Sequence, residues 1–270
     1  MDILKKQQNI YLFHKMNKEM LQFSDSLHDL AKKYNIKEVS DSKNANLIVS
    51  IGGDGTFLQA VRKTNFRDDC LYAGISTEEK LHIYCDFSIY DQNKIIAAIT
   101  NERIAIRRYP LIEVSFDDQE PFYCLNELSI RSSIIKTFVL DVFIDDLHFE
   151  TFRGDGMIIS TPTGSTAYNK STSGAVVDPF LPSFQVSELA SLNNNSYRTL
   201  GSSFILSGKR TLTLKIAEHD SNVHPIIGLD NEALSISNLK KVQIKLSNKV
   251  IKTVKLKDNS FWEKVKRTFL

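Results

Sequence analysis

The segment Leu47-Ile48-Val49-Ser50-Ile51-Gly52-Gly53-Asp54-Gly55-Thr56 decides which fold we expect for the N-terminal part of the chain. Its first five residues form a nearly continuous apolar run, which is typical of a strand buried on both faces of a parallel sheet. Three glycines in four positions then permit a tight turn. Because Phe57 to Lys63 resumes a helical pattern, the sequence predicts a buried strand, a glycine-rich turn and a helix in direct succession.

The chemistry of this turn suits phosphate groups and one acidic side chain. Glycines let successive backbone N–H groups converge on an anion, and the following helix adds the positive end of its dipole. We therefore expect Gly53, Gly55 and Thr56 to hold phosphates, while Asp54 meets a hydroxyl group or a magnesium ion. The alternative is a purely structural turn in which Asp54 caps the helix. The turn has neither the Gly-Lys-Ser/Thr of a P-loop nor the spacing of a dinucleotide fingerprint.

Outside this segment, the first hundred residues alternate between helical and strand patterns. Residues 15–34 carry apolar side chains at three- and four-residue spacing, residues 71–75 form a second apolar run, and residues 91–101 present a further helical face. This alternation predicts an α/β domain, which we place at residues 1–103.

After Tyr109-Pro110 the pattern changes to period-two alternation, as in Leu212, Leu214 and Ile216. It predicts an antiparallel, β-rich domain over residues 104–256, with helical periodicity only around Pro182–Ala190. Residues 257–270 end in a short amphipathic helix from Phe261 that needs an apolar surface on which to dock. We expect two domains that join near residues 100–110.

Composition excludes several classes of protein. Hydrophobic residues make up 42% and charged residues 24% of the 270 residues, as in a soluble globular protein. The net charge of +2 does not call for nucleic acid, and no apolar run reaches the roughly 18 residues that span a bilayer. Three unclustered cysteines, and no signal-peptide core in Met1 to Lys15, favour a cytoplasmic protein with reduced thiols. The six histidines show no metal-ligand spacing, so we predict no metal-binding side chains.

A second polar cluster begins at Arg153-Gly154-Asp155-Gly156 and continues as Thr161-Pro162-Thr163-Gly164-Ser165-Thr166-Ala167-Tyr168-Asn169-Lys170-Ser171. Its hydroxyl groups and backbone amides suit ribose and phosphate oxygens. Tyr168 offers a ring face for a base, and an ionised Asp155 accepts hydrogen bonds from a ribose diol or an adenine amino group. The alternative is a surface loop between strands. Asn126-Glu127, at a predicted strand end, would by itself indicate only a turn.

Together these motifs resemble the NAD kinase family, in the order Gly52-Gly53-Asp54-Gly55-Thr56, Asn126-Glu127, Gly154-Asp155-Gly156 and the block from Thr161 to Tyr168. The first motif is shared with lipid kinases, whereas the last is discriminating. The resemblance implies a Rossmann-like α/β domain, a β-sandwich-like domain, a nucleotide cleft between them, and a C-terminal segment that returns to the first domain. It also implies a homodimer or homotetramer.

The resemblance assigns roles to particular residues. Asp54 would be the catalytic carboxylate. The NAD site would be lined by Gly55, Asn126, Glu127, Arg153, Asp155, Thr163, Thr166, Ala167, Tyr168, Asn169, Lys170 and Ser171, with Ala190 and Glu232 also carried over. The family's Gly-x-x-Gly-Phe-like loop is replaced by residues 76–84 without either glycine, where Tyr84 keeps the aromatic position. A double glycine after the tyrosine block is reduced to Gly174 alone.

The expected reaction is transfer of a phosphoryl group from ATP to the 2′-hydroxyl of the adenosine ribose of NAD, giving NADP, with Mg²⁺ and with Asp54 as the general base. Inorganic polyphosphate remains open as the donor, NADH as the acceptor, and feedback by NADP(H) as a control. Two alternatives use the same motifs: a lipid kinase, and a non-catalytic NAD(P)-binding sensor descended from a kinase.

Overall fold

The predicted succession of strand, turn and helix is confirmed at strand β3 (Leu47–Ile51) and helix α2 (Asp54–Lys63). Four of the five residues of the strand are buried. Gly52 adopts a φ of +141°, and a Cβ atom there would lie 2.5 Å from Thr56 Oγ1. Glycine at this position is therefore required by the turn itself.

The computed structural model describes residues 8–16, 18–79, 81–100, 104–117, 119–217, 225–236, 238–257 and 259–270. Residues 101–103 of the predicted domain junction and residues 1–7 of the N-terminal stretch Met1 to Lys15 lie outside the described residues. The chain divides into two compact units, Met1–Tyr109 with Ile251–Leu270, and Pro110–Val250. Compactness does not test where independently folding domains end, so the predicted bounds 1–103, 104–256 and 257–270 stay a prediction.

The first unit contains a parallel sheet in the order β2-β1-β3-β4, with β5 and the end of the last strand also paired to β4. Its helices pack on the sheet through Met20, Leu27 and Ile95, which join Val49 and Ile75 in one apolar cluster. Besides β3 and α2, the elements of this unit are β1 (Asn9–His14), α1 (Lys18–Lys33), β2 (Lys37–Glu38), β4 (Leu71–Ser76), β5 (Cys85–Ser88), α3 (Gln92–Ile99) and α5 (Phe261–Phe269).

The second unit is β-rich, as predicted, and is built from antiparallel strand pairs. One sheet runs β10-β9-β14-β17 with β6 and β7, and the other runs β13-β12-β11-β8-β15-β16. Side chains from both sheets, such as Leu140 and Ile159, share one hydrophobic core. The elements are β6 (Ile104–Phe116), β7 (Phe122–Cys124), β8 (Glu127–Arg131), β9 (Phe138–Ile144), β10 (Leu147–Gly154), β11 (Gly156–Ser160), α4 (Tyr168–Ser171), β12 (Ser183–Leu189), β13 (Phe204–Ser207), β14 (Thr211–Ile216), β15 (Ile226–Leu229), β16 (Glu232–Ser235) and β17 (Lys241–Leu256).

The helical periodicity predicted for Pro182–Ala190 is wrong, because these residues form strand β12 between β11 and β13. Phe184 and Val186 enter the core, while Gln185 and Ser187 on the opposite face are buried as well. Gln185 bonds the backbone of Ala175, and Ser187 bonds Asn169. The alternation of apolar Phe184 and Val186 with polar Gln185 and Ser187 is that of a strand, and hydrogen bonds to residues 169–175 satisfy the polar side chains on the second buried face.

The amphipathic helix predicted at the C-terminus is confirmed as α5. Ser260 caps it, because its hydroxyl oxygen accepts a hydrogen bond from the Glu263 N–H at 3.1 Å. Lys264 in its middle is fully buried. None of the described helices is long and apolar enough to cross a membrane.

Candidate active site

Asp54 lies at the start of α2, and its carboxylate is held by the backbone of a different segment. Oδ2 accepts the N–H of Ile83 at 3.0 Å, and Oδ1 accepts the N–H of Tyr84 at 2.9 Å. The cap position of α2 is Gly53, so the structure contradicts the alternative in which Asp54 caps the helix. Each carboxylate oxygen has a further lone-pair direction with which it can accept a hydrogen bond.

The electrostatic surroundings of Asp54 favour a carboxylate that can accept a proton. Burial raises the pKa of Asp54 above its ordinary value, and the N–H groups of Tyr84 and Ile83 oppose this rise. The charges of His82 and Lys264 oppose it further. A carboxylate whose pKa lies nearer to neutrality is the stronger general base.

The segment without the family's glycines is shaped by side chains instead. The Ser76 hydroxyl donates to the Glu78 carbonyl at 3.1 Å and accepts the Glu78 N–H at 3.0 Å, which closes a tight turn. Tyr84 is buried, with its ring stacked on Phe57 at 5.0 Å between centroids and edge-on to Tyr109 at 5.3 Å. The Tyr84 ring therefore packs inside the unit, and its predicted role toward a nucleotide stays a prediction.

In the second unit, Asp230 organises the Asn126-Glu127 segment. Its carboxylate accepts the N–H groups of Leu125 at 3.1 Å, Asn126 at 2.7 Å and Glu127 at 3.2 Å. Asp230 belongs to none of the motifs identified in the sequence. Its position just after a strand, in an Asp-Asn turn, was the available signal, and its φ of +53° is typical of such turns.

The same Asn126 segment is locked to the loop that follows β11. The Thr161 hydroxyl donates to the Leu125 carbonyl at 2.7 Å, and the Thr161 N–H donates to the Asn126 carbonyl at 2.8 Å. A Cβ atom on Gly164 would lie 2.0 Å from the Asn126 carbonyl oxygen. Only glycine permits this approach, so the two predicted motifs meet through their backbones.

Most hydroxyl groups of this loop form hydrogen bonds within the protein, so fewer of them than predicted can bind a nucleotide. Ser165 donates to the Pro162 carbonyl, and Thr166 donates to the Thr163 carbonyl at 3.0 Å. Buried Asn169 accepts from Ser187 at 2.7 Å. These side chains hold the loop in shape.

Three buried side-chain atoms of this region, Ser160 Oγ among them, have no hydrogen-bond partner among the described residues, and two of the three belong to predicted site residues. These two atoms are Glu127 Oε2 and Thr163 Oγ1. Burial raises the pKa of Glu127 to about 8, and the charge of Asp230 adds to the rise while the Tyr168 N–H opposes it. Buried polar atoms without partners are costly in a free protein, so these two atoms are the first candidates for contact with a ligand.

A pocket in the second unit brings together Asp155, Tyr168 and Ala190 with Arg131. Arg131 Nη1 donates to the Tyr168 hydroxyl at 2.8 Å. Arg131 could not be identified from the sequence, because a single arginine at the end of a strand belongs to no motif. Asp155 is exposed, and Ala190 adopts a φ of +45° at the end of β12.

The remaining predicted residues are more scattered. Arg153 places its guanidinium over the Tyr197 ring at 4.3 Å from the centroid. Exposed Lys170 and Ser171 belong to α4, half-buried Ala167 precedes it, and exposed Glu232 begins β16. Gly53 and Gly55 are accessible at the start of α2, whereas Thr56 is buried.

No cluster of three or more His, Cys, Asp or Glu side chains that could hold a metal ion occurs among the residues that the structure describes.

An acidic side chain beside a glycine turn in an α/β unit, together with a β-rich unit that has a pocket lined by Asp155, Tyr168 and Arg131, is typical of a phosphotransferase that acts on a nucleotide. The family model of the ATP-NAD kinase C-terminal domain matches residues 125–256. The chain is 68% identical over 262 residues to NAD kinase 2 of Bacillus subtilis (strain 168), which covers 97% of this chain and 98% of that protein. It is 65% identical to NAD kinase 2 of Bacillus licheniformis, with the same coverage of each chain. The chain belongs to the NAD kinase family.

Two solved structures share the fold. Yeast NADH kinase complexed with NADH matches with a TM-score of 0.77 at 18% identity, covering 96% of this chain and 86% of that one. An NAD kinase from Archaeoglobus fulgidus in complex with ATP matches with a TM-score of 0.75 at 21% identity, covering 96% and 99%. Membership of the family confirms the prediction of an enzyme of this class and removes the lipid-kinase alternative.

Proposed function

We propose that this protein phosphorylates the 2′-hydroxyl of the adenosine ribose of NAD, giving NADP, with MgATP as the phosphoryl donor. The observation that carries the proposal is the carboxylate of Asp54, which two backbone N–H groups hold at the start of α2 beside a glycine turn. The names of the similar Bacillus proteins support NAD as the acceptor. ATP bound to the Archaeoglobus fulgidus protein of the same fold supports the donor.

In this mechanism Asp54 accepts the proton of the attacking hydroxyl group. Phosphoryl transfer has a loose transition state, so the proton moves late and the base mainly orients the hydroxyl in line with the phosphorus. The two N–H bonds fix the carboxylate before the substrate arrives, which reduces the entropy lost in reaching the reactive geometry. A positioned base contributes about 10²–10⁴ in rate.

The start of α2 supplies donors for the phosphates of ATP. The first N–H groups of a helix have no partner within the helix and point toward an approaching anion. Among the described atoms, a Cβ on Gly53 would meet nothing within 4 Å. Packing does not require glycine there, so its absence of a side chain is explained by a phosphate that must come close to the backbone.

The polar atoms of the second unit suit the adenosine part of NAD. Glu127 with a pKa of about 8 is mostly protonated at neutral pH, so it can donate one hydrogen bond and accept others. Thr163 Oγ1 offers a second buried contact. Exposed Asp155 can accept bonds from a ribose diol, and Tyr168, fixed by Arg131, can lie against a base. We also propose that the protein is cytoplasmic, as its cysteines and N-terminal sequence suggest, and that it forms a homodimer or homotetramer, as the family resemblance implies.

The test is an assay of the purified protein with NAD, Mg²⁺ and ATP, in which an NADP-specific dehydrogenase detects the product. We expect NADP to form with ATP and not without Mg²⁺. Parallel reactions with inorganic polyphosphate and with NADH define the range of donor and acceptor. Tight NAD binding without NADP formation under every donor would instead favour the non-catalytic sensor.

A further inference from the structure

Lys264 in the C-terminal helix α5 is fully buried, which is rare for lysine and requires partners for its charge. Its Nζ donates to the Ile83 carbonyl at 2.7 Å and to Asp86 Oδ2 at 2.8 Å. The helix thus places a positive charge inside the unit that carries Asp54. Neither Lys264 nor Asp86 belongs to a motif that the sequence analysis identified.

One peptide group lies between Lys264 and the Asp54 carboxylate. The carbonyl of Ile83 accepts from Lys264 Nζ, and the N–H of the same peptide group, on Tyr84, donates to Asp54 Oδ1 at 2.9 Å. A cation on the carbonyl oxygen polarises the peptide and makes its N–H a stronger donor. The bond that holds Asp54 is therefore strengthened from the opposite side.

The charges around this peptide do not balance without Asp54. Asp86 receives hydrogen bonds from two cations, Lys264 at 2.8 Å and Arg107 at 3.0 Å, and from the Asn259 amide at 2.7 Å. Two positive charges surround one buried carboxylate, which leaves one positive charge in excess.

The other groups that face the cluster do not remove this excess. The Tyr109 hydroxyl donates to the Ile83 carbonyl at 3.3 Å and accepts from Arg107 at 2.9 Å. The Cys85 thiol donates to the Gly52 carbonyl at 3.3 Å, and burial keeps its pKa well above the ordinary value. An ionised Asp54 supplies the missing negative charge, with His82 as a further nearby titratable group.

We propose that Lys264 is a positioning residue for Asp54, acting through the Ile83–Tyr84 peptide group to hold the carboxylate in place and in its ionised form. The inference rests on the proposed function in one respect, namely that the reaction uses the Asp54 carboxylate. Lys264 contacts no substrate in this scheme. Burial lowers the pKa of Lys264 to about 8, and the charge of Asp86 opposes this fall. The Lys264 side chain therefore still carries its positive charge at neutral pH.

The test is the variant Lys264→Met, studied through the pH dependence of kcat. Asp54 must be ionised to accept a proton, so activity falls as the pH decreases through its pKa. Loss of the lysine charge raises that pKa, and we expect the acidic limb of the profile to move upward by roughly half to one pH unit. At a fixed pH on the acidic limb, a shift of half to one pH unit lowers kcat by about three- to tenfold. The KM values for NAD and ATP should stay unchanged.

The matched control is Arg267→Met, on the same helix. Arg267 Nε donates to the Leu81 carbonyl at 3.0 Å, so it fixes the same segment without touching the Ile83–Tyr84 peptide. We expect this variant to lower thermal stability and to leave the acidic limb where it is in the wild type. An equal shift in both variants would mean that α5 has only a structural role.

Two measurements separate this inference from the proposed function. NMR of ¹³C-labelled aspartate, with Asp54→Asn to identify the resonance, gives the pKa of Asp54 whether or not the residue is catalytic. An unchanged Asp54 pKa in Lys264→Met overturns the inference. A raised pKa with full turnover in Asp54→Asn keeps the inference and overturns the base mechanism. If Lys264→Met does not fold, Lys264→Gln keeps a neutral donor for the Ile83 carbonyl, and the same two outcomes decide with a smaller expected shift.

Discussion

The Asp54 region and the Glu127 region surround a carboxyl group with opposite charges. Asp54 accepts two backbone N–H groups and has cations nearby, so its pKa rises only against strong opposition. Glu127 lies beside another carboxylate, Asp230, and keeps one oxygen without a partner among the described residues, and its pKa rises to about 8. The first arrangement favours a carboxylate that can accept a proton, and the second favours a neutral carboxyl group that can donate a hydrogen bond.

The largest effect is expected from substitution of Asp54, the proposed general base. Asp54→Asn keeps the size of the side chain but cannot accept a proton, so we expect kcat to fall by about 10²–10⁴. NAD and ATP binding, measured by calorimetry, should change little. Asp91→Asn is the control, because Asn also caps a helix and Asp91 caps α3. Near-normal turnover in Asp54→Asn would remove Asp54 from the chemistry.

The next largest effect is expected from removing the charge of Asp230, which holds the Asn126-Glu127 segment in place. Asp230→Asn removes a carboxylate that accepts three backbone N–H groups, and we expect the free energy of unfolding to fall by about 1.5–3 kcal/mol. The KM for NAD should rise because the Asn126-Glu127 segment loosens, while kcat should change less. Asp145→Asn is the matched control: Asp145 also accepts a backbone N–H in a turn, from Thr211, but is exposed. Equal destabilisation by both variants would contradict the organising role of Asp230.

The two regions also differ in how much the sequence reveals. The strand, glycine turn and helix around Asp54 are local, and their pattern placed all three correctly. The groups that act on Asp54 are not local: Ile83 and Tyr84 lie 29 and 30 residues away, and Lys264 reaches Ile83 across 181 residues. Such contacts follow from the pairing of strands and the docking of α5, which no spacing in the sequence encodes.

In the second unit the discriminating motif was visible, but the use of its side chains was not. Thr161, Ser165 and Thr166 all belong to the hydroxyl-rich block, yet their hydroxyl groups bond to the chain itself. Thr163, between them, keeps a buried hydroxyl without a partner among the described residues. The sequence gives the same information for all four residues, namely a hydroxyl side chain within one motif. Only the fold distinguishes the three residues that stabilise the loop from Thr163, whose hydroxyl group can contact a ligand.

A smaller effect is expected from Glu127→Gln. Because Glu127 is mostly neutral at pH 7, the neutral amide should change the KM for NAD by no more than about threefold, or less than 1 kcal/mol. A hundredfold rise in the KM for NAD would mean that the ionised form of Glu127 binds NAD.

The pH dependence of stability gives this variant a second readout. A carboxyl group whose pKa is raised on folding contributes stability that is complete below its unfolded pKa near 4.5 and is lost as the pH rises through about 8. Thermal melts of the wild type should therefore show decreasing stability across this window, and Glu127→Gln should show a flatter curve.

The change expected from Thr163→Val is small, and its sign is the most informative. Thr163→Val removes a buried hydroxyl that has no partner among the described residues and keeps the shape of the side chain, so the free protein should become more stable by about 1 kcal/mol. If Thr163 contacts NAD, the same variant should bind NAD more weakly. Thr172→Val is the control with the opposite sign, because the Thr172 hydroxyl donates to the Asn169 carbonyl at 2.8 Å and its loss should destabilise the protein. Contact with a ligand would offset the cost of burying the Thr163 hydroxyl without a partner. If Thr163→Val is more stable and binds NAD with unchanged affinity, the hydroxyl has no function in NAD binding.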